Sequence, residues 1–413
     1  MVEIVSIGDE LLNGQTVNTN AAWMGAELTR RALALDRVVT VADTREAILD
    51  ALNRASNRAQ VVLMTGGLGP TKDDITKSTL CEFFEDDLVR HHPTLERIEE
   101  YAAHRNFQLL EVHRQQADLP SKCKVLLNTR GTAQGMWFEK DEVIYVSMPG
   151  VPYEMRGIMN DHVFELLIER FVDGHIIEET ALTIGVGEST IANTLSDWEE
   201  RVRRDGMSIA YLPSPGMVKV RVSARGKDEG LRHKVHSAMK EFVDRAGDWV
   251  YGRNRDTIEG VVGRLLSEQN KTLATAESCT GGYVSHRITS VAGSSAYYLG
   301  GFVTYSNEMK IAQLGVESST LEQNGAVSEA VVKEMAQEAR RESGADLAVA
   351  TSGVAGPGGG TDENPVGLVW IAVADEKGVW AQKFNFGKSR QRNITVSGQT
   401  ALNLVRLRLL GRI

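Results

Sequence analysis

VVLMTGGLGPTKDDIT, Val61 to Thr76, reads as a buried strand, a glycine turn and the entry to a helix. Its four leading apolar residues are too short a run for a helix and are bounded by turn residues, which suits a strand covered on both faces. Gly66, Gly67 and Gly69 turn the chain, and Asp73 and Asp74 stand where a helix begins. The same alternation surrounds this stretch. Apolar runs lie at Ile4–Ile7, Val38–Val41 and Val143–Ser147, and helical patterns at Ala21–Arg31, Glu46–Arg58 and Ile75–Phe84. Such α/β alternation predicts a parallel sheet with helices on both faces, which binds ligands beyond the carboxyl ends of its strands. Three polar, glycine-bearing segments collect at those ends: GDELLNG (Gly8 to Gly14) followed by Asn18 and Asn20, the Thr65–Thr76 turn, and SMPGVPYEM (Ser147 to Met155). Amides of glycine loops hold phosphate, and a carboxylate pair beside them holds a divalent cation. One of Asp73 and Asp74 would cap the helix, leaving the other for chemistry.

The chain has 413 residues, 42% hydrophobic and 24% charged, which predicts two or three globular domains. A net charge of -9, spread along the chain, gives no strong nucleic-acid signal. Cys81, Cys123 and Cys279 are an odd, sparse set that predicts no disulfide framework and a reducing compartment, the cytoplasm. Acidic residues interrupt the first apolar run, so MVEIVSIGDELLNG reads as the start of a strand and not as a signal peptide. No stretch approaches the length of a membrane span, so no membrane partner is expected.

TGGLGPTKDD with MPGVPYEM resembles the molybdopterin-binding fold of molybdenum-cofactor biosynthesis proteins. IGDELLNGQTVNTN narrows the resemblance to the N-terminal domain of the CinA family, the competence/damage-inducible proteins, across most of residues 1–172. The resemblance implies a metal-dependent pyrophosphatase acting on ADP-ribose-like dinucleotides with a divalent cation (Mg, Mn or Co). Carried onto this sequence, Asp74 is the catalytic or metal-binding carboxylate and Asp43 a second metal ligand. Asp9, Glu10, Asn18 and Asn20 would line the nucleotide cleft, with Gly66, Gly67, Gly69 and Asp73 in its phosphate loop. Pyrophosphate cleavage needs a cation on the phosphate oxygens and a positioned water, which carboxylates supply. Further on, His104, His113 and Arg114 lack metal-ligand spacing and read as surface or cleft polar residues.

Residues 173–253 lack glycine-loop signatures. Strands at Thr180–Ile184, Ser208–Leu212 and Val218–Ala224, an amphipathic helix within Gly185–Trp198 and another at Leu231–Ala246 make a small α+β module. It resembles the KH-type linker domain of the CinA family. Without a GXXG clamp or a strong basic face, the likeness does not extend to RNA binding. Its expected roles are spacing and homodimer formation.

Residues 254–413 return to α/β alternation. Helices at Thr257–Glu268, Ser328–Ser343 and Ile394–Leu410 flank strands at Asp346–Ala350, Leu368–Ala374 and Trp380–Phe386. The stretch Ala274–Lys310 gathers hydroxyls, a phenol and an amine around two glycine turns, which can build a nucleophile with its base. TAESCTGG, AGSS, FVTYSNEMK, GAVSE, SGVAGPGGG and NPVG resemble the CinA C-terminal domain and the stand-alone nicotinamide-nucleotide amidohydrolases. That resemblance implies hydrolysis of nicotinamide mononucleotide to nicotinic acid mononucleotide and ammonia, with no cofactor. Matched position by position, Ser295 is the nucleophile, Lys310 its base and Tyr305 a proton relay or amide-orienting group. Glu277, Ser278, Thr280 and Gly281 would contact substrate or order the turn. Ser352 and Gly353 would offer amides to an oxyanion or phosphate, and Arg390 or the nearby Arg392 would pair with the nucleotide phosphate. Cys279 follows a strand at a helix entry and is a rival nucleophile, although no histidine stands in the neighbouring motifs.

Two further readings compete with this bifunctional enzyme. One is a non-enzymatic competence or DNA-damage partner, which loss of Ser295, Tyr305 or Lys310 would have favoured. The other is a molybdopterin-binding N-terminal domain, for which the glycine loop and Asp74 serve equally.

Overall fold

The structure, a computed structural model, describes residues 1–413 apart from 70, 72–73, 105–107, 173–174, 227 and 229, and only the backbone of Tyr101, His104 and His175. It divides into two compact units, one built on residues 1–176 and the other on 177–413, with 225–228 counted to the first.

In the first unit the strands are β1 (Val2–Ile7), β2 (Leu35–Val41), β3 (Val61–Thr65), β4 (Leu88–Arg90), β5 (Asp118–Pro120), β6 (Lys124–Leu126), β7 (Gly135–Lys140) and β8 (Val143–Met148). Six of them form one sheet in the order β2-β1-β3-β8-β7-β6, and β4 pairs with β5 separately. Every residue of β1, β3 and β8 is buried, as continuous apolar runs require when both faces are covered. On one face Ile4, Leu63 and Val146 pack against helices Thr19–Arg30, Pro152–Ile158 and Phe164–Phe171. On the other, Val5, Val62 and Met64 pack against Arg45–Ser56 and Thr76–Phe84. Each such aliphatic side chain contributes about 1.5–3 kcal/mol by leaving water. The expectation of a parallel sheet holds for β2, β1, β3 and β8 and is corrected at β7 and β6, which run antiparallel. Asp141 and Glu142, with φ of 50° and 63°, reverse the chain between β7 and β8 in too few residues for a crossover helix.

The second unit begins with the middle module, a four-stranded sheet ordered β10-β11-β9-β12 from β9 (His175–Ile184), β10 (Ser208–Ser214), β11 (Met217–Gly226) and β12 (Val250–Arg253). Trp198 and Phe242 centre its core, and the Trp198 Nε1–H donates to the Ala238 carbonyl at 3.0 Å. The helix expected within Gly185–Trp198 starts at Glu188 and breaks at Leu195 into Glu188–Thr194 and Ser196–Arg204.

The rest of the second unit carries a five-stranded sheet ordered β14-β13-β15-β16-β17, from β13 (Leu273–Glu277), β14 (Tyr298–Val303), β15 (Leu347–Gly353), β16 (Leu368–Asp375) and β17 (Gly378–Asn385). Strand β13 is parallel to β14 and β15, whereas β15, β16 and β17 are antiparallel. Helices Ile258–Glu268 and Arg390–Leu409 cover one face and Glu329–Ser343 the other. The three-domain α/β reading of the sequence is thus the observed architecture. No helix among the described residues is long and apolar enough to cross a membrane.

Candidate functional site

The carboxyl ends of β1, β3 and β8 open into a cavity of about 390 Å³. All three sequence segments that carry glycine and polar residues meet there. Its lining includes Glu10, Asn18, Asn20, Asp43, Thr65, Gly66, Gly67, Gly69, Asp74 and Gly150. Gly66 has φ +118°, and a Cβ there would stand 2.1 Å from the Ile7 carbonyl, so the turn can pass β1 only without a side chain. Asp74 Oδ2 accepts from the Thr71 amide at 2.9 Å and the Thr71 hydroxyl at 2.5 Å. Asp9 Oδ1 accepts from the Asp43 amide at 3.3 Å, which ties the GDELLNG segment to the end of β2. Asn18 caps helix Thr19–Arg30 by accepting from the Ala21 amide, so its side chain is partly committed to structure. Asp73 lies outside the described residues. Thr65, whose hydroxyl donates to the Pro149 carbonyl at 2.8 Å, is a lining residue that sequence reading passed over; its only signal was its place at the last position of a buried strand. No three of the described His, Cys, Asp and Glu residues gather to hold a metal by themselves.

The second site is built on side chains at the end of β13. Glu277 is buried, and its carboxylate accepts from the Thr280 hydroxyl, the amides of Gly282, Val284 and Ser285, and the Ser285 hydroxyl, all at 2.7–3.0 Å. Five donors leave it no open face. Of the two roles expected for Glu277, contacting substrate or ordering the turn, the geometry gives it the second: it fixes the turn that opens helix Tyr283–Thr289. Thr280 is equally enclosed: its one proton goes to Glu277, so its oxygen accepts from the Thr351 hydroxyl at 2.7 Å, while Gly281 on the same turn is exposed.

Ser278, one residue beyond β13, meets Lys310. Helix Asn307–Leu314, capped by Ser306, turns the lysine inward. Lys310 is 1% exposed, and its Nζ donates to Ser278 Oγ at 3.1 Å and to the Thr304 carbonyl at 3.0 Å. Burial pushes its pKa down from the ordinary lysine value, the neighbouring Cys279 and Glu308 opposing the shift. Ser295 is not among its partners. It lies exposed on the short turn Ser294–Ala296, so the structure gives the lysine to Ser278 and corrects the expected Ser295–Lys310 pair. Thr304 went unnoticed in the sequence, although it stands beside Tyr305 in FVTYSNEMK. Cys279 is buried and its thiol is pushed up to about 12 by burial, which removes the thiolate that a cysteine nucleophile needs.

Tyr305 is exposed and its hydroxyl accepts from Arg390 Nη2 at 2.9 Å, while Arg390 Nη1 donates to the Gly356 carbonyl at 2.8 Å. The phenol therefore faces the arginine and not the lysine. Arg392 instead lines a separate cavity with Phe384 and Phe386, which leaves Arg390 as the guanidinium beside the glycine loop. The Ser352 hydroxyl donates to the Ala326 carbonyl at 2.6 Å, binding the loop to GAVSE, and Gly353 ends β15 paired with Val369.

Comparison with known proteins agrees with this architecture. The CinA C-terminal domain matches residues 255–409, the probable molybdopterin binding domain residues 3–169, and the damage-inducible protein CinA KH domain residues 178–252. A CinA-like protein of Cytophaga hutchinsonii is 46% identical over 408 residues, covering 98% of this chain and 97% of its own. The chain belongs to the CinA family. A putative competence-damage inducible protein of Caldicellulosiruptor saccharolyticus, in the same family, is 38% identical over 407 residues and covers 98% of each chain. Among solved structures, a competence/damage inducible protein of Agrobacterium tumefaciens is 40% identical, with a TM-score of 0.36 over 37% of this chain and 95% of its own.

Proposed function

We propose that the C-terminal domain is a serine–lysine amidohydrolase acting on nicotinamide mononucleotide. The observation that carries this reading is the buried Lys310 amine at 3.1 Å from Ser278 Oγ. A lysine whose pKa is lowered by burial can serve as a general base, and its hydrogen bond names the hydroxyl it would deprotonate. Ser278 Oγ adds to the carboxamide carbon as its proton passes to Lys310 Nζ. Collapse of the tetrahedral adduct breaks the C–N bond, and the lysine proton leaves with ammonia. Water, deprotonated by the neutral lysine, then cleaves the acyl ester to give the carboxylate and restore Ser278. Arg390, held by Tyr305 and Gly356, is the cation available for the nucleotide phosphate. The choice of nicotinamide mononucleotide comes from the sequence resemblance to nicotinamide-nucleotide amidohydrolases. Ammonia release from that compound by the full chain tests the activity, with Ser278→Ala and Ser295→Ala separating the two serines.

For the N-terminal domain the cavity supports a divalent-cation-dependent pyrophosphatase of ADP-ribose-like nucleotides. Asp43 and Asp74 both line the cavity and are hard oxygen donors, and Mg²⁺ is commonly held by one or two carboxylates plus substrate phosphates. The cation, when bound, would neutralise charge on the pyrophosphate; the glycine turn and Asn18 and Asn20 would orient the nucleotide. The same cavity also suits a pterin, and a pterin carried through purification would favour that ligand. Homodimer formation through the middle module stays part of the reading and is checked by mass in solution.

A further inference from the structure

Asn20 lies in the first turn of helix Thr19–Arg30 and is only 8% exposed. Its Nδ2 donates to Thr65 Oγ1 at 3.1 Å and to the Gly150 carbonyl at 2.7 Å. These partners settle which end of the amide is which. A carbonyl oxygen can only accept. The Thr65 hydroxyl gives its single proton to the Pro149 carbonyl, so toward Asn20 it too must accept. Both partners demand N–H donors, and a flipped amide would set oxygen against oxygen. Asn20 Oδ1 is therefore the remaining end, buried and without a hydrogen-bond donor among the described residues. An acceptor left in that state has lost its water with no hydrogen bond in return. The cost falls on a residue that lines the cavity beside the Gly66–Gly69 turn.

We infer that Asn20 Oδ1 is a specificity-determining acceptor that receives an O–H or N–H donor of the ligand, a ribose hydroxyl or an exocyclic base amine. The inference rests on the reading of this cavity as a nucleotide site. An ionised phosphate carries only acceptors and would repel Oδ1, so this wall excludes it. The ligand is thereby oriented, with its phosphates toward the glycine turn and the Asp43 and Asp74 carboxylates and its sugar or base toward Asn20. Asn20 thus selects for a nucleoside diphosphate over a bare diphosphate.

The test is calorimetric titration of the full chain and of Asn20→Ala with ADP and with inorganic pyrophosphate, both in magnesium buffer. The expected result is a loss of about tenfold in ADP affinity, the worth of one hydrogen bond, with pyrophosphate affinity held within about twofold. Inosine diphosphate and the 2′- and 3′-deoxy forms of ADP then identify the donor: the wild-type preference that vanishes in Asn20→Ala marks it as amine or hydroxyl. Equal weakening of ADP and pyrophosphate would make Asn20 a brace for Thr65 and Gly150 only, and would overturn the inference. So would a wild-type protein indifferent to all three analogues, which would assign Oδ1 to water. Failure of the wild type to bind either ADP or pyrophosphate would instead remove the nucleotide reading itself, and the inference with it.

Discussion

The N-terminal cavity and the C-terminal site use the ends of parallel strands in opposite ways. In the first, backbone turns and carboxylates face an open space, and the proposed chemistry would wait on what a ligand and a cation bring. In the second, one amine is sealed under the protein with its partner hydroxyl, and the groups of the proposed chemistry are already present in the chain. The contrast follows from electrostatics. Carboxylates that remain ionised need water or a cation nearby, whereas a lysine becomes a base only by losing its water. A glycine turn suits the former, because it offers amides and room. A helix that drives a long side chain inward suits the latter.

Substitutions should pull the two sites apart. The largest effect expected is from Lys310→Met, which keeps the buried apolar volume but removes the base: ammonia release should fall by about a thousandfold or more. Pyrophosphate cleavage in the same protein should be unchanged, and its loss would point to misfolding. Ser278→Ala should fall as far, while Ser295→Ala should stay within about tenfold of wild type in initial-rate assays. Next, Asp74→Asn keeps an oxygen for Thr71 but drops the charge, so pyrophosphate cleavage should fall by about a hundredfold with ammonia release intact. If both activities fell together, misfolding of the variant would be the cause, as for Lys310→Met. Glu277→Gln should cost about 1–3 kcal/mol in denaturant unfolding, because an NH₂ group would face donors that need an acceptor.

The pH dependence sharpens the contrast less strongly. Burial lowers the Lys310 pKa from its ordinary 10.5, so between the folded value and 10.5 the unfolded chain binds the extra proton. Its contribution to stability therefore rises with pH across that window and falls as pH drops through the folded value. In the proposed mechanism the neutral amine is the base, so kcat/KM should decline on that same acidic side in a pH–rate profile, and Lys310→Arg should be inactive throughout. Cys279, held protonated up to about 12, should resist iodoacetamide at pH 8 in the folded chain and react once unfolded.

Much of this was legible in the sequence because it depends on local pattern. The apolar runs that became β1, β3 and β8 are buried at every position, and continuous burial writes itself as continuous hydrophobicity. The hairpin at Asp141 and Glu142 was not legible, since neither residue is the glycine or asparagine that usually marks left-handed backbone. The choice between Ser278 and Ser295 was hidden for another reason. Both serines follow strand-and-turn signals, and only the path of helix Asn307–Leu314 decides which one a lysine 32 residues from Ser278 can reach. Arg390 and Arg392 stand two apart at the start of one helix, where neighbours at that spacing face opposite ways, and only the fold shows which side holds Tyr305. Glu277 could contact substrate or order the turn, and the sequence left both open because nothing in its neighbours foretold five donors converging on it.

Peptide mass analysis of the full chain, acid-quenched during turnover of nicotinamide mononucleotide, would show directly which serine carries the acyl group. Cleavage after Lys271, Arg287 and Lys310 puts Ser278 and Ser295 on separate tryptic peptides, residues 272–287 and 288–310. The acyl ester of nicotinic acid mononucleotide is expected on the first peptide, fragmenting at Ser278. An ester on the second peptide, at Ser295, would contradict the Ser278 assignment.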